Sequence, residues 1–368
     1  MVARAIRSRP PRDARLDALR GFFLILMTGV HVPMPWSDRF HDPLGCVGAA
    51  DGFVFMSACL AGLVYGHISG PEGWTGQRRR IWQRVRLIYG VHLLGLLPVA
   101  LLAWWGAGRM ASLAGHFSDF LVHPAASLAL MPLLLHQPPL FDILPMYVIF
   151  LSATPWLLSF ARRHGWRGLL AGSGLIWLLV QCHLDVPLFA DSTRWLPVRW
   201  GSFDPFAWQL LWVVGVALGE SGRRHSLSVQ WRRAGILVPA LAVVGFGLVK
   251  RHGGWPHRWW NDDLYLWMDK WTLGPLRLLD FFAWVLVLVA WNPRLTSRWL
   301  APLSLLGRHS LAVFALHLPL VIGFAVWVEL RSPSEVMQNG MGLVVMGVLF
   351  AWAGWLDGRR GPVPLRGT

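Results

Sequence analysis

The sequence predicts an all-α fold: a polytopic membrane bundle of about ten transmembrane helices, with both termini cytoplasmic. Three observations predict it. Of 368 residues, 55% are hydrophobic and only 14% charged, against about 25% charged in a soluble domain, and mean hydropathy is +0.45. Apolar runs recur at 19–36, 46–66, 84–106, 140–161, 166–183, 204–221, 234–250, 276–292, 309–329 and 340–357. Each approaches the ~20 residues a spanning helix needs. Basic residues alternate in density between the runs. With the N-terminus inside, the inner segments hold 24 of the 34 Lys and Arg and the outer segments nine, while Arg277 opens a helix. Positive charge concentrated on the inner side sets that orientation.

The same figures exclude other classes. A net charge of +15 in a soluble protein would suggest nucleic acid, but here the charge is explained by topology, so no nucleic-acid partner is expected. Cys46, Cys59 and Cys182 are too few and scattered for a disulfide or zinc framework and suit small packing positions. The chain divides into a basic N-terminus (1–18), a membrane domain (19–357) and a tail (358–368), multi-pass in a bacterial inner membrane and surrounded by lipid.

Taken in order, the first run carries the sharpest signal. Asp17 flanks it, and Arg20 and His31 interrupt it, which argues against a cleaved signal peptide. His31 follows Arg20 by eleven residues, about 16 Å along a helix. That places a cation near the inner surface and an imidazole deep in the outer half. An ionisable group at such depth is costly and marks a functional candidate. A neutral imidazole can take a proton from a hydroxyl; the bland alternative is a core histidine bonded between helices.

The second run contains Asp51 and a face of Ala58, Gly62 and Gly66 at spacing four, suited to close helix packing. Ser57 has no nucleophile context around it. The third opens with Arg84 and Arg86 after Arg78, Arg79 and Arg80. Those arginines anchor topology, and Arg84 and Arg86, at the edge of the apolar run, also suit a phosphate clamp. The connection 107–139 holds His116, His123 and His136 without metal-ligand spacing, so no metal is expected. Its semi-apolar, Pro-rich composition suits a segment on the membrane surface.

Arg162, Arg163 and Arg167 set the fifth run on the inner side. Runs two, four, six and eight start at the outer face, where Asp51, Asp142, Asp204 and Asp280 lie. Helix N-termini favour carboxylates, so some of these are caps. Carboxylates beside Trp36, Trp195, Trp200, Trp255, Trp259, Trp260, Trp267 and Trp271 also make a sugar-binding surface, although interfacial belts account for many membrane Trp. In the ninth run, His317 is a lone polar group on an apolar helix. Arg359 and Arg360 close the tenth.

These residues also carry a resemblance. Asp17-Ala18-Leu19-Arg20-Gly21 followed by His31 resembles the opening of membrane acyltransferases of the acyltransferase-3 type. FVFMSACLAG (53–62) is similar to the second-helix motif of that group, with Ala58-Cys59 as a departure. Arg80 to Arg86 resembles its Arg-rich third-helix entry. Closer still is the OpgC branch, through RDARLDALRG (12–21), FDILPMY (141–147), FDPFAWQLL (203–211), LGPLRLLDF (273–281) and LGRHSLAVFALH (306–317). The resemblance implies acyl transfer from cytoplasmic acyl-CoA, a co-substrate with no other cofactor, to hydroxyls of a periplasmic glucan. Succinyl is the favoured group and acetyl the alternative. On this reading Arg20, Arg84 and Arg86 bind the donor and His31 is the base. Asp51 or His317 orients His31 or holds the acceptor, both remaining open, as does a two-step path through an acylated His or Ser. Asp142, Asp204, Asp280, Tyr147 and Trp36 line the acceptor side. The rival is a sugar or lipid-linked glycan carrier, against which stands the lack of an internal repeat.

Overall fold

The computed structural model describes residues 14–66, 73–106, 110–184, 198–222, 234–253, 266–291 and 300–359. The basic residues before 14, the Arg clusters at 223–233 and 294–298, Trp195, Trp255, Trp259, Trp260 and the tail from 360 lie outside them.

Among the described residues the chain forms fourteen α-helices and no strand. They are α1 Ala14–His31, α2 Ala49–Tyr65, α3 Gly73–Gly106, α4 Ala111–His116, α5 Ser118–Val122, α6 Pro124–Leu130, α7 Ile143–His164, α8 Trp166–Gln181, α9 Pro205–Ser221, α10 Ala234–His252, α11 Pro275–Trp291, α12 Ala301–Arg308, α13 Ser310–Arg331 and α14 Glu335–Gly358. The ten longest overlie the ten apolar runs. Five have the length and composition to cross a membrane: α3, α7, residues 235–252 of α10, α13 and α14. A sixth, α2, is a shorter apolar helix. Three others, α8, α9 and α11, have 16, 17 and 17 residues, and α1 carries Asp17 and Arg20.

Three boundaries differ from the sequence reading. Helix α3 begins at Gly73, eleven residues before its apolar run, so Arg78, Arg79 and Arg80 are helical. The ninth run is preceded by a separate helix, α12, broken from α13 at His309. The connection 107–139 is folded into α4, α5 and α6, and its Leu113, Phe117, Phe120 and Met131 join the main core. It is therefore a packed part of the bundle rather than a surface segment alone. Of the three free cysteines, Cys46 is buried, while Cys182 is exposed rather than packed.

Two close crossings organise the bundle. Helix α2 packs on α9 through the expected small-residue face. A Cβ added at Gly62 would lie 2.1 Å from the Val216 carbonyl oxygen, and one at Gly219 would lie 2.0 Å from that of Cys59. Helix α1 packs on α12 equally tightly: a Cβ at Gly21 would meet the Leu303 oxygen at 1.9 Å, and one at Gly307 the Asp17 oxygen at 1.8 Å. This second crossing carries Arg20 to the start of α13, where it donates to Ser310 Oγ.

Helices α1 and α10 bring their C-terminal ends, and α2, α7 and α11 their N-terminal ends, to one cavity of about 840 Å³. This is the alternation of antiparallel neighbours. Four connections contribute to its walls through Phe40–Asp42 and Gly48, through His116, Pro139, Leu140 and Asp142, through Ser202 and Phe203 ahead of α9, and through 268–271.

Candidate active site at the paired histidines

Helix α1 ends at His31, which opens onto the cavity. Behind it lies His317 of α13, 1% exposed. The ring planes lie within 23° of each other with centroids 5.4 Å apart, so the rings meet edge to edge, and His31 Nδ1 stands 3.1 Å from His317 Nε2. The surroundings decide which nitrogen holds which proton. His317 Nδ1 lies 2.9 Å from the Phe314 carbonyl oxygen. A carbonyl only accepts, so Nδ1 carries the hydrogen. In a neutral His317, Nε2 is then an acceptor, and His31 Nδ1 donates to it. His31 is left with a bare Nε2 lone pair, the atom a general base uses.

Beneath the histidines is an aromatic layer. Phe314 is 4.9 Å from the His317 ring and stacks on Phe53 at 6.3 Å. The Arg20 guanidinium sits 5.7 Å from the Phe53 centroid on the side towards Ser310. Tyr147 is buried here and donates to the Phe53 carbonyl oxygen at 2.7 Å. Arg84 is half-buried on α3. Arg86 is exposed, and its Nε donates to the Trp82 carbonyl oxygen at 3.4 Å.

The cavity wall contains a buried ion cluster. Arg277 of α11, 2% exposed, reaches Asp51 Oδ2 at 2.6 Å and Oδ1 at 3.1 Å. It also reaches Asp42 at 3.0 and 3.2 Å. Asp51 in addition accepts the Gly48 N–H at 2.7 Å, closing the first turn of α2. Asp51 is therefore committed to Arg277 and the helix start, whereas the group that touches His31 is His317. Two lining residues, Asp42 at φ 43° and Leu140 at φ 74°, occupy the left-handed region that non-glycine residues rarely adopt.

The other expected acceptor residues are dispersed. Asp142 lines the cavity, and its carboxylate accepts the Ser202 N–H at 2.9 Å. Asp204 caps α9, accepting from the Phe206 and Ala207 N–H groups. Asp280 accepts the Cys46 N–H at 2.8 Å. Neither Asp204 nor Asp280 lines the cavity, and Tyr147 belongs to the aromatic layer. Trp36 is 45% exposed and away from the cavity, with Arg39 over its ring. Of the three loop histidines, His116 alone contributes to the wall. Among the described residues, His, Cys, Asp and Glu side chains form no group of three placed to hold a metal ion. Sequence reasoning missed Arg277, Asp42 and Lys270 as cavity residues. Arg277 had a signal: it lies within the LGPLRLLDF segment, three residues before Asp280, where a buried cation in an apolar helix demands a partner.

Fold and site together give a helical protein of membrane-spanning character, with five helices long and apolar enough to cross a membrane and a cavity in whose wall His31 stands in front of the buried His317. The family model for OpgC protein matches residues 12–360, and the chain belongs to the OpgC family. That membership suggests an acyltransferase-like function that modifies glucans. No curated protein and no solved structure matches the chain.

Proposed function

We propose that the protein transfers an acyl group, succinyl in preference to acetyl, from cytoplasmic acyl-CoA to hydroxyls of a periplasmic glucan. It would do so as a multi-pass protein of a bacterial inner membrane, with ten spans and both termini cytoplasmic. The observation that carries this reading is the contact geometry at His31: its Nδ1 lies 3.1 Å from His317 Nε2, and His317 Nδ1 lies 2.9 Å from the Phe314 carbonyl oxygen, a chain that in neutral rings leaves the Nε2 lone pair to His31, a residue that lines the cavity.

The reaction balances on that geometry. Arg20 and Arg84 meet the donor phosphates and guide the thioester towards the histidines. A glucan hydroxyl enters the cavity from the other side. His31 Nε2 takes the hydroxyl proton as the oxygen attacks the thioester carbon. The carbon–sulfur bond then breaks, and the departing thiolate recovers the proton from His31. His317 keeps the ring in one tautomer throughout. General-base assistance of this kind is typically worth about 10²–10⁴-fold. The arginines suit phosphate because guanidinium binds it bidentately. A hydroxyl acceptor needs no metal on this path.

Full-length protein in proteoliposomes, given labelled acyl-CoA on the arginine side and glucan on the cavity side, tests the proposal. Label appearing covalently on the glucan is the expected result. Glucan that crosses unmodified would establish a carrier instead.

A further inference from the structure

The cavity at His31 contains a cation, Lys270, whose hydrogen-bond donors the described residues leave unused. The other charged groups of the wall are largely committed. Arg277 is held by Asp42 and Asp51. Asp142 accepts from Ser202, and Asp269 accepts the Thr272 N–H at 2.8 Å and hydroxyl at 2.7 Å. Lys270 differs. Its ammonium lies 5.0 Å from the Trp271 centroid and 5.8 Å from that of Phe203. Among the described residues no acceptor is within hydrogen-bond or ion-pair distance of it.

Two aromatic faces can hold a cation without occupying its N–H donors. Phe203 and Trp271 are themselves packed edge to face at 5.4 Å, so the cradle is rigid. Burial pushes the Lys270 ammonium below its ordinary value, against the pull of Asp51, Asp42 and Asp142. A half-buried ammonium in this state gains from an anion that brings its own acceptor oxygens. Lys270 also lines the same cavity as His31.

We infer that Lys270 determines donor specificity by receiving the free carboxylate of a dicarboxylic acyl chain while the thioester carbon lies at His31. The inference rests on the acyl-transfer reading above and adds the side chain that selects the acyl group. The carboxylate of such a chain is the one anion that stays within a few bonds of the reacting carbon. Glucan hydroxyls are neutral, and on the proposed function the donor phosphates are met by Arg20 and Arg84, neither of which lines the cavity. A carboxylate already attached to the acceptor would offer the same chemistry, and the acceptor arm of the test separates the two.

The test compares wild type, Lys270→Gln, Lys270→Met and Lys270→Arg, full-length in proteoliposomes. Donors are succinyl-CoA and acetyl-CoA; acceptors are neutral glucan and glucan already carrying succinyl groups. Thermal melting in detergent establishes that each variant is folded. With neutral glucan, Lys270→Gln and Lys270→Met should lower kcat/KM for succinyl-CoA at least tenfold relative to acetyl-CoA. Lys270→Arg should keep the wild-type preference. Equal losses with both donors, or no loss, would remove Lys270 from selection. A loss confined to the succinylated acceptor would overturn the acyl chain as the source of the carboxylate. Wild type that transfers neither acyl group would instead refute the acyl-transfer reading, and the inference with it.

Discussion

At His31 the proton inventory of two rings decides the chemistry. The Phe314 carbonyl fixes His317, and His317 fixes His31. His317→Ala removes the acceptor for the His31 Nδ1–H and frees the ring to adopt the other tautomer. Turnover should fall, with kcat reduced more than KM for the donor is changed. His317→Gln, whose side-chain oxygen can still accept, should retain more activity than His317→Ala. Steady-state assays of both variants check this, and wild-type kcat in His317→Ala would separate the pair from the reaction. The sequence shows both histidines as lone polar groups in apolar runs, yet leaves His317 and Asp51 equivalent as partners. The contact spans 286 positions, and no local spacing encodes it. Asp51 was legible only as an acidic group at a helix start; its bond to Arg277 crosses 226 positions.

At the level of elements, that bond ties α2 to α11, and Asp42 ties the preceding loop to the same guanidinium. Removing one partner of a buried pair leaves an uncompensated charge, which costs roughly 3–5 kcal/mol. Asp51 and Arg277 are 1% and 2% exposed at the side chain, so solvent does little to relieve it. Arg277→Met, which strands the buried Asp51 carboxylate while Asp42 is partly solvated, should therefore lower the Tm in detergent markedly. The double variant Asp51→Leu with Arg277→Met should be less destabilised than Arg277→Met, because it removes the buried carboxylate as well. A double variant as unstable as the single would show that packing, not charge, holds this joint. The ten long helices were legible because burial in apolar surroundings writes itself into continuous runs. Their ends were not. The first turns of α3 hold Arg78, Arg79 and Arg80, invisible to hydropathy. The break at His309 between α12 and α13 interrupts a sequence that stays apolar on both sides.

For the whole molecule, alternating helices bring four separate connections to one cavity, while Arg20 lies against the Phe53 ring and Ser310. On the proposed function, a donor held at Arg20 and an acceptor in the cavity would reach one imidazole by different paths. The cavity was less legible: Asp142 and His31 reach it as expected, but Asp204 and Asp280 serve backbone N–H groups, a use of carboxylates that looks the same in sequence. The central claim is that acyl transfer depends on His31, and the most direct measurement is turnover per folded molecule of His31→Ala with labelled acyl-CoA and glucan. A loss of about 10²–10⁴-fold, with donor binding little changed, is the predicted result; turnover at the wild-type rate by folded His31→Ala would contradict it.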